Sequence, residues 1–141
     1  MSEPWSLDPQ LVRDTAPVGD LALSRLLAIN DADYPWLVLV PRRAGAVEIA
    51  DLDPAEAARL MEEIALVSRA LRQVTRCDKL NVAAIGNIVP QLHIHIVARR
   101  KDDPLWPKPV WGHTAMRAGE TEGFDRLIAD IRHRLKMAGL D

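Results

Sequence analysis

Residues 91–96 have the sequence Gln-Leu-His-Ile-His-Ile, and this stretch decides how the chain around it must fold. Side chains alternate between the two faces of a β-strand, so Gln91, His93 and His95 are predicted to share one face. The apolar residues between them occupy the other face and must pack on a core. Alternation alone favours an ordinary half-exposed strand, but histidine is uncommon, and two histidines in register with an amide strengthen the case for a functional site on the polar face.

Two chemistries suit this His-x-His pair. A metal site would need a third ligand. No acidic residue follows until Asp102, and His113 lies in a segment whose position the pattern does not define, so we predict that no metal is bound. Alternatively, one neutral imidazole attacks phosphorus and forms a covalent intermediate. The second then donates hydrogen bonds to phosphate oxygens or handles the proton of the leaving group. The sequence has no Walker loop and no glycine-rich dinucleotide motif, so side chains and local amides would hold the phosphate.

The segments on either side predict two hairpins. Residues 21–29 and 36–40 are apolar runs separated by Asn and Asp residues, which favour a turn because their side chains satisfy nearby backbone donors. Residues 80–85 and 89–98 are predicted as antiparallel partners joined through Gly86 and Asn87. Residues 1–20 carry three prolines and are predicted as an arm with a short helical piece around residues 8–14, and residues 99–114 as an irregular segment.

Two longer helices complete the predicted fold. Asp53 is a good N-cap, Pro54 suits the first helical position, and Glu56 completes a capping box. Apolar residues then follow at helical spacing, with charged residues predicted away from that stripe. The stripe comprises Leu60, Ile64, Val67, Leu71 and Val74, and the charged set comprises Glu62, Glu63, Arg69 and Arg72. A second helix is predicted over residues 121–138. The sequence therefore predicts the α+β class, with an antiparallel sheet of about five strands and two main helices.

Length and charge set the limits of this interpretation. The 141 residues fit one domain over residues 1–141, with its core at about residues 20–112. A net charge of −2 argues against a surface devoted to nucleic acid or an anionic membrane, whereas a small anionic ligand needs only a few local donors. Cys77 is the only cysteine, so no internal disulfide forms, and no secretory signal is evident. We therefore expect a cytoplasmic protein.

Taken together, residues 86–97 resemble the strand of the histidine triad (HIT) superfamily. That family carries His-φ-His-φ-His-φ-φ, where φ is apolar, after a glycine-containing turn. Residues 26–31 and 36–42 resemble the nucleoside-binding hairpin of the same family. The resemblance covers roughly residues 20–112 and keeps the order hairpin, helix, hairpin.

The resemblance implies a role for each matching residue. The middle triad position is the nucleophile of the family, and here it is His93. The third position contacts the phosphate, and here it is His95. Asn30 and Asp31 match the region that holds the ribose hydroxyls, and Asn87 matches a turn position that touches phosphate oxygens.

Gln91 departs from the family pattern, because it stands where the first histidine should be. That histidine acts mainly as hydrogen-bond support, and an amide with one donor and one acceptor group can keep part of the role. Trp106 and Trp111 offer large faces that could stack on a nucleotide base. Packing against a second copy of the chain explains them equally well, since the family forms dimers whose sheets meet edge to edge.

The resemblance implies an enzyme that hydrolyses or transfers a nucleoside monophosphoryl group through a nucleotidyl-His93 intermediate, with no cofactor. Its substrate would be a nucleoside phosphoramidate or a dinucleoside polyphosphate. The alternative of another class is a catalytically weak nucleotide-binding or interaction protein, in which Gln91 marks decayed catalysis. The expected partners are a small nucleotide and a second copy of the chain in a homodimer.

Overall fold

The antiparallel sheet is built from five strands, and His95 lies on a strand that has a neighbour on both sides. In the computed structural model, which describes residues 4–112 and 117–138, the strands run in the spatial order β1-β2-β3-β5-β4. Their bounds are β1 Ala16–Asp20, β2 Ser24–Ile29, β3 Trp36–Pro41, β4 Lys79–Ala83 and β5 Ile94–Arg99. The helices are α1 Pro9–Asp14, α2 Pro54–Thr75 and α3 Thr121–Met137, and a 3-10 turn covers Ile49–Asp51. The predicted α+β class is confirmed.

The two faces of the sheet pack against different parts of the chain. One face, which includes Leu92, Ile94 and Ile96, forms the main core with α2 and α3. The opposite face is covered by the N-terminal segment and by residues after β5. We call its buried apolar residues the imidazole-face cluster: Leu11, Leu27, Ile29, Tyr34, Trp36, Val38, Val40, Val97 and Val110. The predicted alternation along residues 92–97 is therefore confirmed, although both faces are covered.

Helix α2 begins where the sequence predicts. The Asp53 side chain accepts a hydrogen bond from the Glu56 backbone N–H at 2.8 Å, and the Glu56 side chain accepts one from the Asp53 N–H at 3.0 Å. This reciprocal capping box satisfies two backbone donors that the helix itself leaves free. The helix ends at Thr75, because the left-handed backbone of the next residue, Arg76 (φ 52°), stops the helical repeat.

Glu63 corrects one prediction about this helix. It was predicted away from the apolar stripe, yet it is buried, with only 4% of its surface exposed. Its carboxylate accepts hydrogen bonds from the backbone N–H groups of Leu23 (2.8 Å) and Ser24 (3.0 Å). These donors belong to the start of β2, so the charged side chain ties α2 to the sheet. Helical spacing alone does not reveal such a partner, because the partner lies 40 residues away in sequence.

The strand bounds also differ from the predicted ones. Residues 16–20, predicted within an irregular arm, form β1, where Pro17 is tolerated because the strand lies at the edge of the sheet. Strand β5 begins at Ile94 rather than at residue 89. The backbone N–H of Leu92 donates to the Ala46 carbonyl at 2.9 Å instead of to a neighbouring strand. Pro90 supplies no donor at all, and residues 88–93 lie outside the strands of the sheet.

Within the described residues, no helix has the length and apolar character needed to span a membrane.

Candidate active site

His93 and His95 lie side by side on the imidazole face. His93 immediately precedes β5 and His95 is its second residue, facing Val38 of β3 in register. The ring centroids are 4.8 Å apart and the planes are inclined by 71°. His93 is buried, with 6% of its surface exposed, whereas His95 retains partial contact with solvent. The prediction that these two imidazoles share one face is confirmed.

A main-chain carbonyl sets the proton position on His93. The Nδ1 atom lies 2.8 Å from the backbone oxygen of Gln91. A carbonyl oxygen can only accept a hydrogen bond, so Nδ1 must carry the hydrogen and donate it. In a neutral ring the remaining nitrogen, Nε2, then keeps its lone pair. His93 is therefore held in the tautomer in which Nε2 is available as a nucleophile or base.

An indole sets the opposite tautomer on His95. The Nε1–H of Trp36 donates to His95 Nδ1 across 3.0 Å, and indole nitrogen is a donor only. Nδ1 is therefore unprotonated, and the neutral ring carries its hydrogen on Nε2. Burial, followed by the charge of His93, lowers the pKa of His95 from 6.5 to about 4, so the ring is neutral at pH 7. The two rings therefore offer a lone pair on His93 Nε2 and a hydrogen-bond donor at His95 Nε2–H.

Aromatic rings enclose His95. The Trp111 ring centroid lies 5.6 Å from that of His95, and Trp36 lies 6.1 Å from Trp111 at an interplanar angle of 89°. Trp106 is elsewhere: the Arg99 guanidinium carbon sits 5.5 Å from its ring centre. The sequence offers both tryptophans as candidates for base stacking, and no local pattern distinguishes them. Only the path of residues 100–111 brings Trp111, and not Trp106, to the imidazoles.

That path is held by a buried ion pair. Arg99 is 1% exposed and pairs with Asp103 through Nε at 2.7 Å and Nη2 at 3.0 Å. A third guanidinium hydrogen bond goes to Asn81 Oδ1 at 2.9 Å. The Arg99 guanidinium holds the pKa of the Asp103 carboxyl below its usual range. The buried charges are therefore compensated, as buried charges need to be.

The Gln91 side chain points to the N-terminal segment. Its Oε1 accepts from the Asp8 backbone N–H at 2.8 Å, and its Nε2 donates to the Ser6 carbonyl at 2.9 Å. The prediction that this amide supports the imidazoles directly, from a shared strand face, is therefore wrong. Gln91 lies outside β5. Its main-chain carbonyl, and not its side chain, is hydrogen-bonded to His93 Nδ1.

The residues matched to ribose binding lie at the β2–β3 turn. Asn30 Oδ1 accepts from the Gly119 backbone N–H at 3.0 Å, which ties the turn to the start of α3. Asp31 Oδ1 accepts from the backbone N–H groups of Asp33 (2.8 Å) and Tyr34 (3.2 Å). Both residues line a cleft of about 390 Å³ that also includes Phe124 and Leu127, while the imidazoles are not in its lining. Asn87 is exposed in the turn before Gln91.

No group of three His, Cys, Asp or Glu side chains is arranged to hold a metal ion in the part of the chain that the structure describes. His113, weighed above as a third ligand, lies outside the described residues.

Comparison with known proteins identifies the family of this chain. The model of the HIT domain family matches residues 10–102. A histidine triad protein from Bradyrhizobium japonicum is 53% identical, with a TM-score of 0.92 over 94% of this chain and 99% of that chain. One from Sinorhizobium meliloti is 42% identical, with a TM-score of 0.89 and coverages of 92% and 96%. One from Marinobacter aquaeolei is 36% identical, with a TM-score of 0.91 and coverages of 96% and 98%. No curated protein matched the chain. The matched domain and these relatives show that the chain belongs to the histidine triad family.

Proposed function

We propose that this HIT protein hydrolyses or transfers nucleoside monophosphoryl groups through a nucleotidyl-His93 intermediate. The family in general binds and hydrolyses nucleotides. The observation that carries the proposal for this chain is the opposite tautomers of two adjacent rings. The Gln91 carbonyl leaves a lone pair on His93 Nε2, and the Trp36 indole leaves a hydrogen on His95 Nε2. A nucleophile and a donor to a phosphate oxygen are what a displacement at phosphorus requires.

The proposed reaction has two displacements. In the first, His93 Nε2 forms a bond to phosphorus while the bond from phosphorus to the leaving nitrogen or oxygen breaks. The leaving atom keeps that electron pair and takes a proton from water. In the second, water attacks phosphorus, the bond to His93 breaks, and the nucleoside monophosphate departs while the proton of the attacking water passes to solvent. Another acceptor in place of water would give transfer instead of hydrolysis.

In this scheme His95 acts as a hydrogen-bond donor. Because burial lowers its pKa to about 4, roughly a thousandth of the rings would be protonated at pH 7. Such a small imidazolium fraction favours steady donation from Nε2–H to a phosphate oxygen over delivery of a proton to the leaving group. The sequence leaves two roles open for His95, hydrogen bonding to a phosphate oxygen and proton transfer to the leaving group. Our proposal assigns it the first.

The nucleoside contacts belong to the same proposal. Asp31 Oδ2 is buried and has no hydrogen-bond partner among residues 4–112 and 117–138, so it can accept from a ribose hydroxyl. Asn30 shares its cleft, and Asn87 would contact phosphate from the turn. We assign base stacking to Trp111 in place of Trp106, because Trp111 contacts His95 whereas Trp106 packs on Arg99. Phosphoramidates and dinucleoside polyphosphates both remain substrate candidates.

The homodimer expected from the family is also a proposal. Strand β4 lies at one edge of the sheet, where its backbone groups are free to pair with a second copy. Apolar side chains are exposed on this edge and in the turn after it: Val82 is 46% exposed, Ile85 41% and Ile88 92%. Covering this edge with the same edge of a second copy would bury both features at once.

The experiment that tests the function is trapping of the intermediate. The protein is mixed with an adenosine 5′-phosphoramidate, quenched in alkali, which preserves a phosphorus–nitrogen bond, and analysed by intact mass. We expect an adduct of one adenylyl group that is absent from His93→Ala, with turnover falling at least about 100-fold. His133→Ala, an exposed histidine on α3, is the matched control and should react normally. Near-normal turnover by His93→Ala would overturn the assignment.

One observation favours the second candidate, a nucleotide-binding protein with little catalysis. The His93 ring is only 6% exposed, and Trp111 lies against its neighbour His95, so a substrate reaches the nucleophile with difficulty. Calorimetry with the same phosphoramidate separates the two functions. Tight binding without any release of nucleoside monophosphate would support the binding protein.

A further inference from the structure

We propose that the N-terminal segment, residues 5–14, positions the nucleophile through Gln91. In this proposal the side-chain amide of Gln91 is held by the segment, and the main-chain carbonyl of Gln91 accepts the hydrogen bond from the Nδ1–H of His93. The kinetic consequence rests on the proposed function, whereas the tautomer of His93 does not.

The contact between Gln91 and the segment imitates strand pairing. The amide accepts from the Asp8 N–H (2.8 Å) and donates to the Ser6 carbonyl (2.9 Å). These two groups flank Leu7, and they are the pair that one residue of a β-strand bonds on a neighbouring parallel strand. A primary amide has an N–H on the same side as its C=O, so its donor and acceptor can meet both groups of the segment at once. It therefore closes a two-point bridge across more than 80 residues of sequence.

The segment has independent anchors on the imidazole face. Leu11 of α1 is buried in the imidazole-face cluster, with Trp5 and Leu7 packed against it. The Arg25 guanidinium carbon lies 5.1 Å from the Trp5 ring centre. Asp8 caps α1 by accepting from the Gln10 N–H at 2.8 Å. The segment is therefore held in place by contacts that do not involve Gln91. It can hold the Gln91 side chain in position because its own position does not depend on that side chain.

Strand pairing does not hold Gln91 itself. Strand β5 begins at Ile94, so the peptide that carries the Gln91 carbonyl lies before the ladder. The Leu92 N–H of this same peptide group donates to the Ala46 carbonyl, and the amide bridge restrains Gln91 through its side chain. If the bridge is lost, the Ala46 contact is left to hold the peptide group, and in this proposal it does not by itself keep the carbonyl on His93 Nδ1. A histidine side chain without such a partner favours the tautomer with hydrogen on Nε2, so the lone pair required at Nε2 would be lost in most molecules.

This arrangement also gives a physical reason for glutamine at the first triad position. The two nitrogens of an imidazole point in divergent directions, so a histidine cannot bond the Ser6 carbonyl and the Asp8 N–H together. Ser6 and Asp8 both precede residue 10, where the match to the HIT domain begins. The bridge therefore joins the triad strand to a part of the chain outside the matched domain.

The test uses two variants that break the bridge from opposite sides. Gln91→Leu removes both amide contacts. Of the two bridge contacts, Asp8→Pro removes only the N–H donor, although it also loses the carboxylate that caps α1, and the Asp8 φ of −53° already suits proline. Asp8→Ala is its matched control, since it loses the cap on α1 and keeps the donor. Gln10→Leu controls for Gln91→Leu, because the half-buried Gln10 side chain bonds Asp14 and Arg13 in α1 and makes no contact with the bridge among the described residues.

The primary measurement is the imidazole nitrogen NMR spectrum at neutral pH, with His93 assigned by its loss in His93→Ala. We expect His93 to carry hydrogen on Nδ1 in the parent protein and both controls, and to shift toward Nε2–H in Gln91→Leu and Asp8→Pro. In the phosphoramidate assay these two variants should lose about tenfold to a hundredfold in kcat with KM nearly unchanged.

The outcomes separate this inference from the proposed function. A His93 ring that keeps its Nδ1 proton in folded Asp8→Pro would overturn the positioning role, even if Gln91→Leu failed to fold. A tautomer shift in a protein that never turns over substrate would support the positioning role and contradict the enzyme. Equal losses of kcat in Asp8→Ala and Asp8→Pro would point to the cap on α1 in place of the bridge and would also overturn it.

Discussion

Replacing His95 with asparagine should remove a large part of the acid sensitivity of this protein between pH 6.5 and 4. Burial, then the charge of His93, lowers the pKa of His95 in the folded protein to about 4, whereas the unfolded chain keeps a value near 6.5. Between these values the unfolded state binds more protons than the folded state. The free energy of unfolding therefore falls as the pH falls through this window.

The size of the effect follows from the same pKa values. Each unit of difference corresponds to about 1.4 kcal/mol, so the stability present above pH 6.5 and lost by pH 4 is at most about 3 kcal/mol. Partial contact of the ring with solvent makes this an upper limit. Asparagine cannot titrate, and its amide oxygen can still accept from the Trp36 indole. The His95→Asn variant should therefore lack this contribution to the pH dependence.

The assay is urea denaturation, followed by tryptophan fluorescence, at half-unit steps from pH 7.5 to 4. Carboxyls such as Asp103 and Asp20, whose pKa values are lowered chiefly by their arginine partners, lose stability at the acid end in both proteins. Their contributions cancel when the variant is subtracted from the parent. The remaining difference should decline steadily between pH 6.5 and 4. A difference that stays flat across that range would refute the argument that His95 is held neutral.

Three further outcomes are expected. Trp36→Phe keeps an aromatic ring but removes the hydrogen-bond donor to His95, so turnover should fall about tenfold to a hundredfold. Trp5→Phe is the control and should lose much less turnover, because the buried indole N–H of Trp5 has no acceptor among the described residues. Glu63→Ala deletes the acceptor of two buried backbone donors, so urea titration should show the free energy of unfolding lowered by about 3 kcal/mol. Glu62 is exposed, and Glu62→Ala should change that free energy by less than about 1 kcal/mol. Light scattering should give nearly twice the chain mass of 15.7 kDa, and Val82→Lys should halve it; a monomeric parent at micromolar concentration would contradict the dimer.

Features that depend on near neighbours could be predicted from the sequence. The start of α2 needs only Asp53, Pro54 and Glu56, which lie within one helical turn and satisfy one another's backbone groups. The shared face of His93 and His95 follows from the period of an extended chain, which is the same in any sheet. The α+β class follows from the order of such local patterns, and the resemblance to the histidine triad family supplied the roles of the two imidazoles.

Features that depend on distant partners could not be predicted in this way. Glu63 is a charged residue in a helix, and only its distance from the Leu23 and Ser24 donors makes its burial favourable. Gln91 was placed on a strand by alternation, but Pro90 cannot donate to a ladder and the Ala46 carbonyl takes the Leu92 donor.

The sequence by itself thus determined the start of α2, the class of fold and the pair of histidines, because each is set by residues a few positions apart, whereas strand β1 and the start of β5 were not predicted. Only the tertiary structure decided which nitrogen of each ring carries the proton. That choice is made by the Gln91 carbonyl for His93 and by the Trp36 indole for His95, and the indole lies 59 residues away in sequence. A hydrogen-bond partner is chosen by distance in space, which local patterns do not encode.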